Sequence, residues 1–197
     1  MSAYFVRHGQ TDWNRQRRFQ SRSDIPLNTT GIHQARRIQT VLAQRAVRFE
    51  TAYCSPLVRA RVTADIILEG STAIAEADTR LMEIALGEYE GRLEKELDDE
   101  LGAAFAAWRS ALFTVAAPGG ESLSVAMDRV RPLVQQWRDA AIRGDILIVA
   151  HQAINMATKA VISGRCDLAS LQAFRQNNDE IDIWDMTGAA QIESIRV

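Results

Sequence analysis

The chain of 197 residues lacks most of what would tie it to a membrane, an oxidising compartment or a polyanion. It has no run of 18 or more apolar residues, so no transmembrane helix is expected. Only two cysteines occur, Cys54 and Cys166, far apart and outside any CxxC or metal-ligand spacing. Reduced thiols in a cytoplasmic protein are the expectation. Neither sign of charge dominates: 23 Lys and Arg stand against 25 Asp and Glu, a formal net charge of -2. No bulk field therefore draws the chain to nucleic acid or to a membrane surface. No low-complexity linker and no internal repeat interrupt it. The N-terminus reads directly into a strand, without the basic and apolar regions of a secretory signal, and none is expected.

What is present is a globular composition, 47% hydrophobic and 24% charged, long enough for one domain over residues 1–197 with a substantial core. Short apolar runs at Ala3–Val6, Thr51–Cys54 and Asp145–Ala150 read as strands, the last so continuously apolar that both its faces must be covered. Between the first two, Asn28 or Thr29 caps a helix carrying Ala35, Ile38, Leu42 and Ala46 at helical spacing. A second helix runs through Leu57, Ala60, Ala64 and Ile67. A third starts near Ser122 and shows Leu123, Ala126, Val130, Leu133, Val134 and Trp137 on one stripe, with Pro132 expected to kink it. Residues 92–117 read as a small helical insertion closed by Pro118-Gly119-Gly120. The tail "EIDIWDM" and "AAQIESIRV" reads as an edge hairpin. Strands alternating with helices predict an α/β fold, a three-layer sandwich around a mainly parallel sheet.

In such sheets ligands collect beyond the C-terminal strand ends. His8 follows the first strand and His151 follows "DILIVA", while Arg59 lies one turn beyond "CSP". If the strands are neighbours, Arg7, His8, Arg59 and His151 converge. Two guanidinium groups and two imidazoles are poor core material but a good receptor for a phosphate dianion. Gly9 is expected to let the backbone turn beside that anion. His33 and Arg61 read as surface residues, and the arginines of "NRQRRFQSR" as a solvated loop.

The segments "RHGQTDWN", "SPLVRARVTA", "LMEIALGEYEG", "PGGES" and "AH" stand in an order and spacing that resemble the histidine phosphatase superfamily, in its phosphoglycerate mutase-like branch. The resemblance implies that His8 is a nucleophile forming phosphohistidine. Arg7, Arg59 and His151 would bind the phosphoryl oxygens, and Asn14 would add a neutral donor. Glu83 matches the general acid, with Leu81, Met82 and Ile84 beside it favouring its protonated form; Glu88 and Glu90 compete for that role. Gln20, Ser21, Arg22 and Gln152 would border the substrate, and Arg22 would read a second anionic group. Gln10, Ser21 and Gln152 depart from the residues many members carry at these places.

The expected function is a phosphomonoesterase acting on a small phosphorylated metabolite, with no metal, no cofactor and no nucleic-acid or membrane partner; the C-terminal hairpin offers an edge for a homodimer, with a covered edge as the alternative. The alternative is a phosphoglycerate mutase. The resembled mutases carry a larger, basic covering insertion, whereas residues 92–117 are short and begin acidic. A third reading is a non-catalytic phosphate-binding domain.

Overall fold

The computed structural model describes residues 2–197. Its centre is a six-stranded mixed sheet in the order β3-β2-β4-β1-β5-β6. The strands are β1 (Ser2–Arg7), β2 (Phe49–Cys54), β3 (Ala75–Ala77), β4 (Asp145–Ala150), β5 (Glu180–Asp185) and β6 (Ala190–Arg196). The first four run parallel to one another, while β5 and β6 add an antiparallel hairpin against β1.

Side-chain alternation along the strands builds two cores. Ala3, Phe5, Ile146, Ile148 and Ala150 point to one face, where α6 (Leu123–Ala141) and α7 (Gln152–Ser163) cover them. Tyr4, Val6, Leu147, Val149, Ala52 and Cys54 point to the other, under α2 (Thr29–Gln44) and α3 (Val58–Ile67). Strand β4 lies between two parallel neighbours and is sealed on both faces, which accounts for its unbroken apolar run. The expected three-layer α/β sandwich is what forms.

Several details differ from the sequence reading. The stripe around Trp137 is one continuous helix through Pro132, because the carbonyl left without a donor belongs to Asp128 on the exposed side. The edge strand β3 is only three residues long and carries no large apolar side chain, and it gave no signal. Helix α7, which the sequence reading did not mark, is buried on nearly every side from Ala153 to Ile162, and its polar stripe of Asn155, Thr158 and Lys159 is buried with it. The insertion folds as α4 (Glu94–Leu101) and α5 (Ala103–Ser110), broken at Gly102. Two further short helices complete the chain, α1 (Asp12–Arg15) and α8 (Leu168–Ala173).

Candidate active site

Strand register brings the two histidines together. Arg7 of β1 is level with Ala150 of β4, so the next residues on these adjacent parallel strands are His8 and His151. The His8 N–H donates to the Ala150 carbonyl at 3.0 Å. Neighbouring strands lie about 4.8 Å apart, and the imidazole centroids are 5.1 Å apart. Sequence distance disappears because two parallel strands end at the same height.

His8 is 3% exposed, and its Nδ1 lies 2.8 Å from the Gly9 carbonyl oxygen. A carbonyl only accepts, so Nδ1 carries the proton and Nε2 keeps its lone pair. Burial, then Arg59 and Arg7, push the His8 pKa well below 6.5, and the ring is neutral. His151 is fully buried and likewise held neutral by burial and then by Arg59, His8 and Arg7. Neither of its ring nitrogens has a hydrogen-bond partner among the described residues.

The guanidinium groups flank this pair. Arg7 Nη1 donates to Gln152 Oε1 and to the Gln176 carbonyl, both at 3.2 Å. Burial lowers its pKa to about 10, which leaves it cationic at neutral pH. Arg59, only 1% exposed, enters from the first turn of α3 and donates to the Ser21 and Ser23 carbonyls at 2.8 and 2.7 Å. Each arginine thus spends two donors on the scaffold and retains others. One buried and one half-buried guanidinium beside two neutral imidazoles give this end of the sheet the positive charge that a dianion calls for, with His151 itself fully buried and outside the cavity lining.

Glu83 sits at the N-terminus of α7, where Ala153 and Ile154 N–H groups donate to its carboxylate at 3.2 Å and its neighbour Ile84 N–H at 3.0 Å. The partners of this carboxyl are backbone donors, in place of the apolar side chains expected from its sequence neighbours. Its loop is braced by residues the sequence reading passed over. Arg129 on α6 donates to the Arg80 and Met82 carbonyls at 2.6 and 3.0 Å and makes a forked pair with Glu121 at 2.9 and 2.8 Å. Glu121 lies inside "PGGES", a motif quoted without a role for its carboxylate.

The remaining candidates separate. Asn14, Gln20, Ser21 and Gln152 line a cavity of about 650 Å³ together with Arg7, His8, Arg59 and Glu83. Arg22 does not: it donates to the Glu83 carbonyl and to Glu121, both at 3.2 Å, and braces the loop where a second anion subsite was expected. Glu88 and Glu90 are also outside the cavity lining, Glu90 accepting from Ser23. Ser21, where a glycine is common in the resembled family, adopts a positive φ of 49°. Its Oγ donates to the Ile84 carbonyl at 3.0 Å and accepts from the Leu86 N–H at 2.9 Å, offsetting the backbone cost. Gly9 does not have a left-handed backbone. A Cβ there would lie 2.4 Å from the Gly31 carbonyl oxygen, so glycine is required by the close approach of α2 and not by a turn. His33 and Arg61 are exposed. The Cys54 thiol is buried and pushed up to about 11, chiefly by burial, which makes it inert. Among the described residues no cluster of three His, Cys, Asp or Glu side chains is placed to hold a metal, and no helix is long and apolar enough to cross a membrane.

An α/β sandwich with a buried, cationic, histidine-containing anion site at its parallel strand ends defines a phosphoryl-handling class. The chain belongs to the histidine phosphatase superfamily (branch 1), whose family model matches residues 3–194. It is 37% identical over 151 residues to a 2,3-bisphosphoglycerate-dependent phosphoglycerate mutase of Cytophaga hutchinsonii, covering 74% of this chain and 70% of that one. An adenosylcobalamin/alpha-ribazole phosphatase of Salmonella typhimurium is 30% identical over 154 residues, covering 78% and 75%. Among solved structures, a mycobacterial glucosyl-3-phosphoglycerate phosphatase complexed with VO3 superposes with a TM-score of 0.82 at 28% identity, over 92% of this chain and 91% of that one. Its relatives are phosphatases and mutases.

Proposed function

We propose that the protein is a metal-independent phosphomonoesterase that hydrolyses a small phosphorylated metabolite through a phosphohistidine intermediate. One observation carries the reading: His8 is held as the Nδ1–H tautomer and faces His151 at 5.1 Å, between Arg7 and Arg59. In the first step the Nε2 lone pair attacks phosphorus as the ester P–O bond breaks, and Glu83 gives its proton to the departing oxygen. In the second, water attacks the phosphohistidine, its proton passes to Glu83 and the P–N bond breaks, releasing phosphate and neutral His8. Arg7, Arg59 and His151 stabilise the equatorial oxygens, and Asn14 and Gln20 complete the oxygen shell. Gln152 holds Arg7 in place through its Oε1.

The mutase uses the same first step and differs in returning the phosphoryl group to another hydroxyl. An assay with p-nitrophenyl phosphate in EDTA tests the proposal. Wild type is expected to turn over and to yield a phosphohistidine that survives an alkaline quench and is lost in acid, and His8→Ala to lose activity on the order of a thousandfold or more. Inactivity on a broad ester panel would show a binding domain. Conversion of 3-phosphoglycerate to its 2-isomer faster than phosphate release would show a mutase.

A further inference from the structure

The cavity of about 650 Å³ is far larger than a phosphoryl group needs, and its lining is divided. Arg7, His8, Asn14, Arg59 and Gln152 lie at or near the strand ends. The rest of the wall comes from the 18–21 and 83–86 loops, the insertion and the region of α6, α7 and α8, and apart from half-buried Arg18 and the polar groups beside the strand ends its inner surface is apolar. Trp108, Leu123, Met156 and Leu171 are buried, and Phe19, Leu112 and Phe113 are half-buried. The polar side chains contributed by the insertion and the region of α8, Ser110, Gln172, Arg175 and Cys166, are all solvent-exposed and belong to the mouth. Glu94, the one carboxylate of the lining besides Glu83, is neutralised by an ion pair with Arg109. The wall is also stiff. Trp108 stacks on Phe105 at 5.5 Å, and both meet Phe19 edge-on at 6.2 and 6.1 Å, so the apolar surface is preformed.

We infer that the preferred substrate is a phosphate monoester whose leaving group is a bulky apolar or aromatic body seated against Phe19, Trp108, Leu112, Phe113, Met156 and Leu171. This rests on the phosphatase reading and narrows it. A compact polyhydroxylated or carboxylated leaving group finds polar partners only at half-buried Arg18, at Gln20 and Ser21 beside the phosphoryl site and at the exposed mouth, and leaves the apolar walls wetted. An apolar body removes that surface from water, and in such pockets a single methylene is worth roughly 10- to 200-fold in discrimination.

The test compares two primary alkyl esters, 3-phenylpropyl phosphate and glycerol 3-phosphate, the latter having the slightly better leaving group, so that intrinsic reactivity works against the expected preference. Wild type is expected to favour the phenylpropyl ester by more than about tenfold in kcat/KM. Phe113→Ser, at a half-buried position, is expected to lower the phenylpropyl value about fivefold and leave the glycerol value within about twofold. A ratio near one or reversed, or an equal loss on both esters in Phe113→Ser, overturns the inference while leaving hydrolysis standing. Calorimetric binding of 3-phenylpropylphosphonate against methylphosphonate supplies a readout free of turnover. Tighter binding of the phenylpropyl compound by about tenfold is expected, and equal affinity overturns the inference. If neither ester is hydrolysed, the phosphatase reading falls and the phosphonate pair still decides this one.

Discussion

His8 and His151 illustrate how burial does chemical work at the residue scale. Both rings are neutral because desolvation and two nearby arginines disfavour a third positive charge. That neutrality keeps Nε2 of His8 nucleophilic, and it has a cost in acid. In the unfolded chain both rings titrate near 6.5, whereas in the native state they titrate well below it. Below about pH 6.5 the unfolded state therefore binds more protons, and stability falls as the pH drops toward the native values. Each ring contributes a slope of up to about 1.4 kcal/mol per pH unit in that window. Urea unfolding at pH 7.5, 6.5 and 5.5 should show a steeper acid loss in wild type than in His151→Gln. Parallel pH profiles would refute the neutral-pair account. At the same scale, Ser21 and Gly9 show that a backbone position can be demanding for different reasons, a positive φ in the first and the clash a Cβ would make in the second.

Element by element, Glu83, the proposed general acid, is placed by helices distant from it in sequence. The N-terminus of α7 supplies two N–H groups to Glu83, and α6 holds the preceding loop by the Arg80 and Met82 carbonyls through Arg129. Arg129 touches no cavity residue's reacting atoms, so it is a positioning residue. Replacing it by Met should slow hydrolysis of a primary alkyl phosphate about tenfold in kcat. Hydrolysis of p-nitrophenyl phosphate should change less than about threefold, because nitrophenolate leaves without a proton. Arg129→Lys should recover part of the alkyl rate. Equal loss on both esters would mean general loosening rather than a misplaced acid. Arg22, expected from the sequence to reach substrate, belongs to this same brace through Glu121 and the Glu83 carbonyl. Its role was illegible because one-dimensional spacing puts it beside Gln20 and Ser21, and only the fold turns its side chain away.

For the whole molecule, the parallel half of the sheet carries the site and the antiparallel hairpin anchors it. Lys159 of α7 and Asp182 of β5 form an ion pair buried among apolar side chains, with Lys159 also donating to the Phe174 carbonyl at 3.2 Å. This pair ties the helix that holds Glu83 to the strand beside β1. Asp182→Ala leaves the ammonium without its counter-charge and is expected to cost about 3–5 kcal/mol. Lys159→Met with Asp182→Leu should recover most of it, because both desolvation penalties vanish together. Urea denaturation of the single and double variants checks the cycle; a double variant no better than Asp182→Ala would contradict it. Asn178 extends the anchoring, its Nδ2 donating to the His8 carbonyl at 2.6 Å.

By itself the sequence determined the strand–helix alternation, the apolar central strand and the polar residues at each strand end, because these depend on local periodicity and on where hydrophobic runs stop. Arg7, His8, Arg59 and His151 stood out on that basis, whereas Glu83 was singled out only by the resemblance of its motif to the family's. What only the tertiary structure decided was contact: the register that levels His8 with His151, the close approach of Gly9 to Gly31, the brace of Arg129 and Glu121, and the burial of Lys159 with Asp182. Apart from the Arg129–Glu121 pair itself, whose reach is to the Arg80 and Met82 carbonyls, each joins groups between about 20 and 140 residues apart, and no local pattern encodes a distance that arises only when strands and helices are packed.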